Sequence, residues 1–96
     1  MRRVCIVSYD ISDPKRWRQI YRTMRGFGQH LQLSVFCCDL TASQRTEMVT
    51  ALERAIDANE DQVLLIDLGP SHVHPIDHVE AIGRRLTVRD RGPIVL

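Results

Sequence analysis

Hydrophobic positions along this chain repeat with two different periods, and the changes between the periods predict strands and helices. Residues 3 to 9 and 63 to 68 are nearly continuous apolar runs, which are typical of strands. Between residues 30 and 38 successive side chains fall on alternate sides of the chain, which predicts one long strand or two shorter ones. Between residues 14 and 26 the apolar side chains recur every three or four positions, which predicts a helix. The core side chains expected from this helix are Trp17, Ile20, Tyr21, Met24 and Phe27.

A second helix is predicted to begin after Thr41. Thr41 and Gln44 have the spacing of a capping box, and the helix is expected to end near Ala58. The order of elements is then β-α-β-β-α-β, the ferredoxin-like arrangement, in which an antiparallel sheet has both helices on one face. Because 96 residues with 44% apolar content suit one modest core, we predict a single α+β domain over residues 1–96.

The first and last of these strands are apolar on both faces, although the helices can cover only one face. An uncovered apolar face needs a partner, and a second copy of the chain is the economical one, so the pattern predicts a homodimer. Residues 79–96 have little core to join, yet they end in the apolar run Pro93 to Leu96. We expect this C-terminal extension to add a strand that pairs across the dimer or with a partner protein.

The charges are separated along the chain, although the formal net charge is only +1. Residues 1–30 carry seven basic and two acidic side chains. Residues 31–81 carry two basic and nine acidic side chains, and residues 82–96 carry four basic side chains and one acidic. Twelve of the 13 cations are Arg, which makes bidentate phosphate contacts more readily than Lys does. The basic ends suit a phosphate-bearing partner, unless the arginines only reflect the composition of the genome.

The first strand ends in a carboxylate, and a basic helix follows it. Asp13 and Pro14 are a strong helix start, because an Asp side chain accepts from the free amides of the first turn and Pro suits the first helical position. Asp10 is therefore expected in the turn between strand and helix, beside cations. This arrangement suits metal-assisted phosphate chemistry, but a salt-bridged turn or an Asx-type turn has the same pattern.

The predicted first helix carries a row of like charges. Lys15, Arg18, Arg22 and Arg25 recur at i, i+3, i+7 and i+10, so they share a stripe beside the apolar one. Such a row repels itself and often has an anionic neighbour. It is either a phosphate-binding surface or a solvated helix face.

Cysteine usage and hydropathy indicate a reducing, aqueous compartment. Cys5, Cys37 and Cys38 fit no disulfide framework and no Cys-x-x-Cys metal pattern, so we expect packed, reduced thiols. The longest stretch without charged residues, 26–38, is too short and too polar to cross a membrane, and the N-terminus is too short for a signal peptide. We expect a cytoplasmic protein that does not contact a membrane.

Histidines are grouped after the last predicted strand of the core. His74 and His78 are four positions apart, with Asp77 between them and His72 just before, a set that could bind zinc on a helix. No fourth ligand or supporting partner is evident, so we prefer a surface loop with incidental histidines.

Together these residues resemble the Cas2 family, the small CRISPR-associated adaptation proteins that are the non-integrase partners in spacer acquisition. The resemblance covers about residues 3 to 69, and it depends on the combination of motifs rather than on any one of them. The segment from Gly69 to Gly83 departs from the family pattern. The matching pieces are Tyr9-Asp10-Ile11 with Asp13, Pro14, Lys15 and Arg16, then Gln32-x-Ser34-Val35-Phe36, the helix after Leu40-Thr41, and more loosely Gly92 to Leu96.

The resemblance implies a homodimer of ferredoxin-like folds, with Mg²⁺ or Mn²⁺ held near the two-fold axis by Asp10 of each subunit. It implies nuclease activity on RNA or DNA in some members. In many systems it implies a non-catalytic role, as the central bridge on which double-stranded DNA lies between integrase subunits. Of the family's basic positions, Arg16 and Arg18 match best.

The chemistry of the residues agrees with this resemblance in part. One Asp cannot hold Mg²⁺ alone, but Asp10 from two copies could, because Mg²⁺ keeps several waters and accepts one or two carboxylates. The metal would activate a bound water while Tyr9 and nearby Arg groups orient the strand, although Tyr9 could equally be a packed aromatic. The predicted site residues are Asp10 and Tyr9 for catalysis, Asp10 for the metal, and Lys15, Arg16, Arg18, Arg22 and Arg25 for nucleic acid.

Two classes of function follow. The expected one is CRISPR spacer acquisition by a dimeric scaffold that binds duplex DNA and bridges integrase subunits, with Mg²⁺-dependent endonuclease activity on RNA or DNA as an intrinsic property. The alternative is a ferredoxin-like regulatory domain that binds a small ligand and has no salt-dependent affinity for DNA.

Overall fold

A four-stranded antiparallel sheet carries two helices in this chain, of which the computed structural model describes residues 1–72 and 79–86. The elements in chain order are β1 (Arg3–Asp10), α1 (Pro14–Arg25), β2 (Gly28–Gln32), β3 (Val35–Leu40), α2 (Ala42–Ala55) and β4 (Gln62–Pro70). The strands lie in the order β2-β3-β1-β4, and every neighbouring pair is antiparallel. The predicted ferredoxin-like α+β fold is confirmed.

Both helices begin where the sequence predicts, because side chains bind the free amides of their first turns. Asp13 caps α1 by accepting from the Arg16 amide at 3.0 Å, and Pro14 takes the first helical position. The capping box of α2 is complete. The Thr41 hydroxyl accepts from the Gln44 amide at 3.2 Å, and the Gln44 side chain accepts from the Thr41 amide at 2.9 Å.

α2 ends at Ala55, earlier than the predicted Ala58, because a turn built on Asp57 follows it. The Asp57 carboxylate accepts from the amides of Asn59 at 2.9 Å and Glu60 at 3.2 Å. An Asp that binds amides just ahead of itself offers the backbone an alternative to the helix.

Residues 30 to 38 contribute to two strands rather than one, since the chain reverses between β2 and β3. Gly28 begins β2 opposite Cys38. A Cβ atom on Gly28 would lie 2.5 Å from Cys38 Sγ and 2.6 Å from the carbonyl oxygen of Cys37. The position therefore requires glycine, because the strand backbone is too close for a side chain.

The core lies between the sheet and the two helices. Alternate residues of β1 and β3 face the helices, and Val7 and Phe36 are fully buried there. The helices contribute the buried side chains Ile20, Met24, Met48 and Leu52. Each large apolar side chain buried in this way contributes about 1.5–3 kcal/mol, so packing against the sheet stabilises both helices.

The other face of the sheet, called the open sheet face below, is apolar and remains partly exposed in the described structure. Ile6 pairs there with Ile66, and Ser8 pairs with Leu64. Leu64 is 50% exposed and Ile66 is 49% exposed. The second apolar face predicted from the sequence is therefore present, and the homodimer inferred from it stays a prediction.

Two sequence predictions fall outside the described residues. The additional strand at Pro93 to Leu96 lies there, as do His74 and His78 of the zinc hypothesis. The part of the extension that is described, residues 79–86, contains no helix or strand, and His72 is exposed. In the described part of the chain, no helix has the length and apolar character needed to cross a membrane.

Candidate functional site

Asp10 lies at the end of β1, at the margin of the open sheet face. Side chains alternate along a strand, so Asp10 shares a face with Ile6 and Ser8, and it pairs through the sheet with Gln62. Its carboxylate is exposed and has no hydrogen bond or ion pair to any residue that the structure describes. The Asx-type turn and the salt bridge that the sequence left open are thus not observed, and the carboxylate is available to a ligand.

Tyr9 lies on the opposite face of β1, inside the core. The ring is 4% exposed and stacks on Phe36, with ring centroids 6.3 Å apart. Burial raises the pKa of the Tyr9 hydroxyl, with a smaller contribution from Tyr21, and this buried hydroxyl has no hydrogen-bond partner in the described structure. The placement favours the packed-aromatic interpretation, because it separates Tyr9 from Asp10 by the thickness of the sheet.

The predicted cations of α1 occupy two different environments. Lys15, Arg18 and Arg22 are exposed and make no ion pair within the described residues. These three form the surface called the basic stripe below. Arg25 is half-buried, and its guanidinium carbon lies 5.9 Å from the centroid of the Tyr21 ring, a cation–π distance. Among residues 1–72 and 79–86 these three charges have no ion-pair partner, so the stripe offers them to an anionic partner.

Arg16 is bound by a carboxylate that the sequence did not single out. Asp61 Oδ2 accepts from Arg16 Nε at 2.8 Å, and Asp61 Oδ1 accepts from Arg16 Nη2 at 3.2 Å. The Asp61 side chain is 0% exposed and that of Arg16 is 29% exposed. Hydrogen bonds from Arg16, and then from the amides of Asp57 and Ser12, hold the pKa of the Asp61 carboxyl far below its ordinary value. Asp61 is therefore charged at neutral pH.

No local pattern could have revealed this ion pair. Arg16 and Asp61 are 45 positions apart, and each lies in a loop or first helical turn where charged residues are common. The available signal was weak: Asp61 immediately precedes β4, the strand that pairs beside β1.

Asp10 fits a divalent metal only in part. Its carboxylate offers the hard oxygen ligands that Mg²⁺ and Mn²⁺ prefer. Among the residues that the structure describes, however, no three His, Cys, Asp or Glu side chains form a group able to hold a metal. A site at Asp10 would need the carboxylate of a second copy, with waters as the remaining ligands.

The cysteines are free and buried, as the sequence predicts. Desolvation is the main cause that raises the pKa of all three thiols, and it brings that of Cys37 to about 11. Thiols of this kind are protonated at neutral pH, so they are poor nucleophiles and poor metal ligands. Their contribution is to packing.

Comparison with known proteins gives a consistent result. The family model described as CRISPR associated protein Cas2 matches residues 1–74. A Rhodospirillum rubrum protein named CRISPR-associated endoribonuclease Cas2 1 is 44% identical over 91 residues, which is 95% of this chain and 88% of that protein. A Geobacter sulfurreducens protein named CRISPR-associated endoribonuclease Cas2 is 45% identical over 85 residues, 88% of this chain and 87% of its own.

Solved structures agree with these relatives. The crystal structure of Streptococcus pyogenes Cas2 at pH 6.5 superimposes on this chain with a TM-score of 0.72 and 28% sequence identity. The superposition covers 83% of this chain and 99% of that one.

Proposed function

Since the chain belongs to the CRISPR-associated Cas2 family, we propose that it acts in CRISPR spacer acquisition as a dimeric scaffold that binds duplex DNA between integrase subunits. The observation that carries the proposal is the position of Asp10, which is exposed at the margin of the open sheet face and has no hydrogen bond or ion pair to a described residue. A dimer formed through this face brings two such carboxylates toward one axis. The basic stripe supplies the cations that a DNA backbone requires.

The apolar residues of the open sheet face support the dimer. Ile6 and Ile66 are cross-strand neighbours, and Leu64 extends the apolar surface along β4. Covering a half-exposed Leu or Ile contributes about 1 kcal/mol, so several such side chains on each copy favour association. A second copy presents the same surface and matches it in chemistry.

We further propose an intrinsic endonuclease activity on RNA or DNA that depends on Mg²⁺ or Mn²⁺. The relatives named endoribonuclease support nuclease chemistry, and the hard oxygens of Asp10 suit either metal. When bound, the metal would supply a water of lowered pKa and would polarise the phosphodiester. Asp10 of each copy would hold it, the basic stripe would bind the phosphates, and Tyr9 would stay in the core.

Charge reversal in the basic stripe tests the DNA-binding part of this proposal. The Arg18→Glu, Arg22→Glu double variant is expected to bind duplex DNA at least about tenfold more weakly, to the same extent for unrelated sequences. Each lost phosphate contact lowers the salt slope by about 1, so the slope should fall by about 2. Fluorescence anisotropy of labelled duplexes over a range of salt concentrations measures both quantities.

The matched control is the Arg45→Glu, Arg54→Glu variant, which reverses two exposed arginines on α2. It changes the net charge equally but should retain more of the affinity and of the salt slope. If the stripe variant keeps the wild-type affinity and slope, the stripe is only a solvated helix face. That result would favour the regulatory domain that binds a small ligand.

A further inference from the structure

We propose that Asp61 is a positioning residue for Asp10, acting through the loop that joins β1 to α1. The inference rests on the proposed function, because it assumes that Asp10 holds a divalent metal. Asp61 does not touch that metal. It fixes the residues that directly follow Asp10, and so sets where the Asp10 carboxylate lies.

The Asp61 carboxylate connects three parts of the chain. Oδ1 accepts from the Ser12 amide at 3.1 Å and from the Ser12 hydroxyl at 3.3 Å. Oδ2 accepts from the Asp57 amide at 2.9 Å, and both oxygens accept from the Arg16 guanidinium. The loop after β1, the first turn of α1 and the loop before β4 therefore meet on one buried anion.

Backbone interactions hold the chain at Asp10 and just after it. Asp10 pairs with Gln62, the neighbour of Asp61, while Asp61 itself binds Ser12. The backbone of Asp10 is thereby held by its pairing with Gln62, and two residues further on the chain is held by the hydrogen bond from the Ser12 amide to Asp61. Side chains that support a metal ligand without contacting the metal typically change its affinity 10- to 100-fold when they are lost.

The burial of the Asp61 side chain explains why it can hold the loop after β1 in place. An exposed ion pair contributes little to rigidity, since water and salt screen it. The Arg3–Asp67 pair at the other end of β1 is of that kind, with 49% and 52% of the two side chains exposed. The Asp61 side chain is 0% exposed and its hydrogen bonds include two backbone amides, so the position of the carboxylate is strongly fixed.

This geometry also changes the expected role of Arg16. The sequence placed it among the nucleic-acid ligands, but Nε and Nη2 of its guanidinium bind Asp61, and Nη2 also donates to the Ser12 hydroxyl at 3.2 Å. Arg16 therefore supports the same loop rather than the basic stripe.

The test compares Asp61→Asn with Asp67→Asn, which removes the same charge from the exposed pair. We expect Asp61→Asn to raise the dissociation constant for Mn²⁺ at least about tenfold, measured by titration calorimetry on folded protein. Amide hydrogen exchange in residues 11–13 should become faster in the same variant. Asp67→Asn should leave both quantities near wild type. If Asp61→Asn folds poorly, Arg16→Gln provides the second variant, with the same expected direction.

Two results would overturn the inference while leaving the proposed function intact. One is faster exchange in residues 11–13 with wild-type affinity for Mn²⁺, because Asp61 would then have a purely structural role. The other is unchanged exchange in that loop. A wild-type protein whose Mn²⁺ binding is absent, or is unaffected by Asp10→Ala, would overturn the metal site of the proposed function and the inference together.

Discussion

The Asp10→Ala protein is expected to lose metal-dependent cleavage of nucleic acid entirely while it keeps its fold and its self-association. Asp10 is exposed and makes no hydrogen bond or ion pair within the described residues, so its truncation removes no such interaction from that part of the chain. In a dimer the change also removes repulsion between two nearby carboxylates. Stability should therefore stay the same or rise slightly.

Cleavage of labelled RNA and DNA in Mg²⁺, together with thermal unfolding, measures both effects. Asp13→Ala is the matched control, because it removes a neighbouring carboxylate that only caps α1. This control should unfold more easily by about 1 kcal/mol and still cleave. Cleavage by pure Asp10→Ala protein at the wild-type rate would assign the activity to other residues or to a contaminant.

Two charges on the open sheet face are expected to convert the proposed dimer into a folded monomer. In the Leu64→Asp, Ile66→Asp variant, both substitutions replace side chains that are about half exposed in the single chain. The monomer should tolerate them, because neither residue lies in the helix-facing core. In a dimer each would be a desolvated charge, so the dissociation constant should rise at least about 100-fold.

Sedimentation velocity at micromolar concentration measures this shift, and circular dichroism checks the fold. Leu33→Asp is the control, since Leu33 is 77% exposed at the turn between β2 and β3, away from β4. It should sediment as the wild type does. A double variant that remains a tight dimer would show that the copies associate through another surface.

The fold could be predicted where short-range signals are strong. Asp13 with Pro14, and Thr41 with Gln44, mark both helix starts because each cap is made within one turn. The end of α2 was placed too late, since no periodicity reveals that Asp57 will bind the amides beyond it. The apolar pattern is a poor guide to helix ends that are set by hydrogen bonds from a side chain to the backbone.

The site could be predicted only in part. Asp10 was identified by its position at a strand end, and strand alternation already implies that Tyr9 points the other way. The partner of Arg16 could not be foreseen, because the ion pair joins positions that only the completed sheet brings together. The family resemblance marked Arg16 as a nucleic-acid ligand, and the structure shows its guanidinium bound to an internal carboxylate.

In the proposed dimer, two copies of the chain build one metal site from their Asp10 carboxylates. The most direct measurement is the stoichiometry of Mn²⁺ bound to purified protein, by native mass spectrometry and by equilibrium titration. A site shared by two copies should bind one Mn²⁺ for each pair of chains, and this binding should be lost in Asp10→Ala and in the Leu64→Asp, Ile66→Asp variant. One Mn²⁺ for each chain, retained by that monomeric variant, would contradict it.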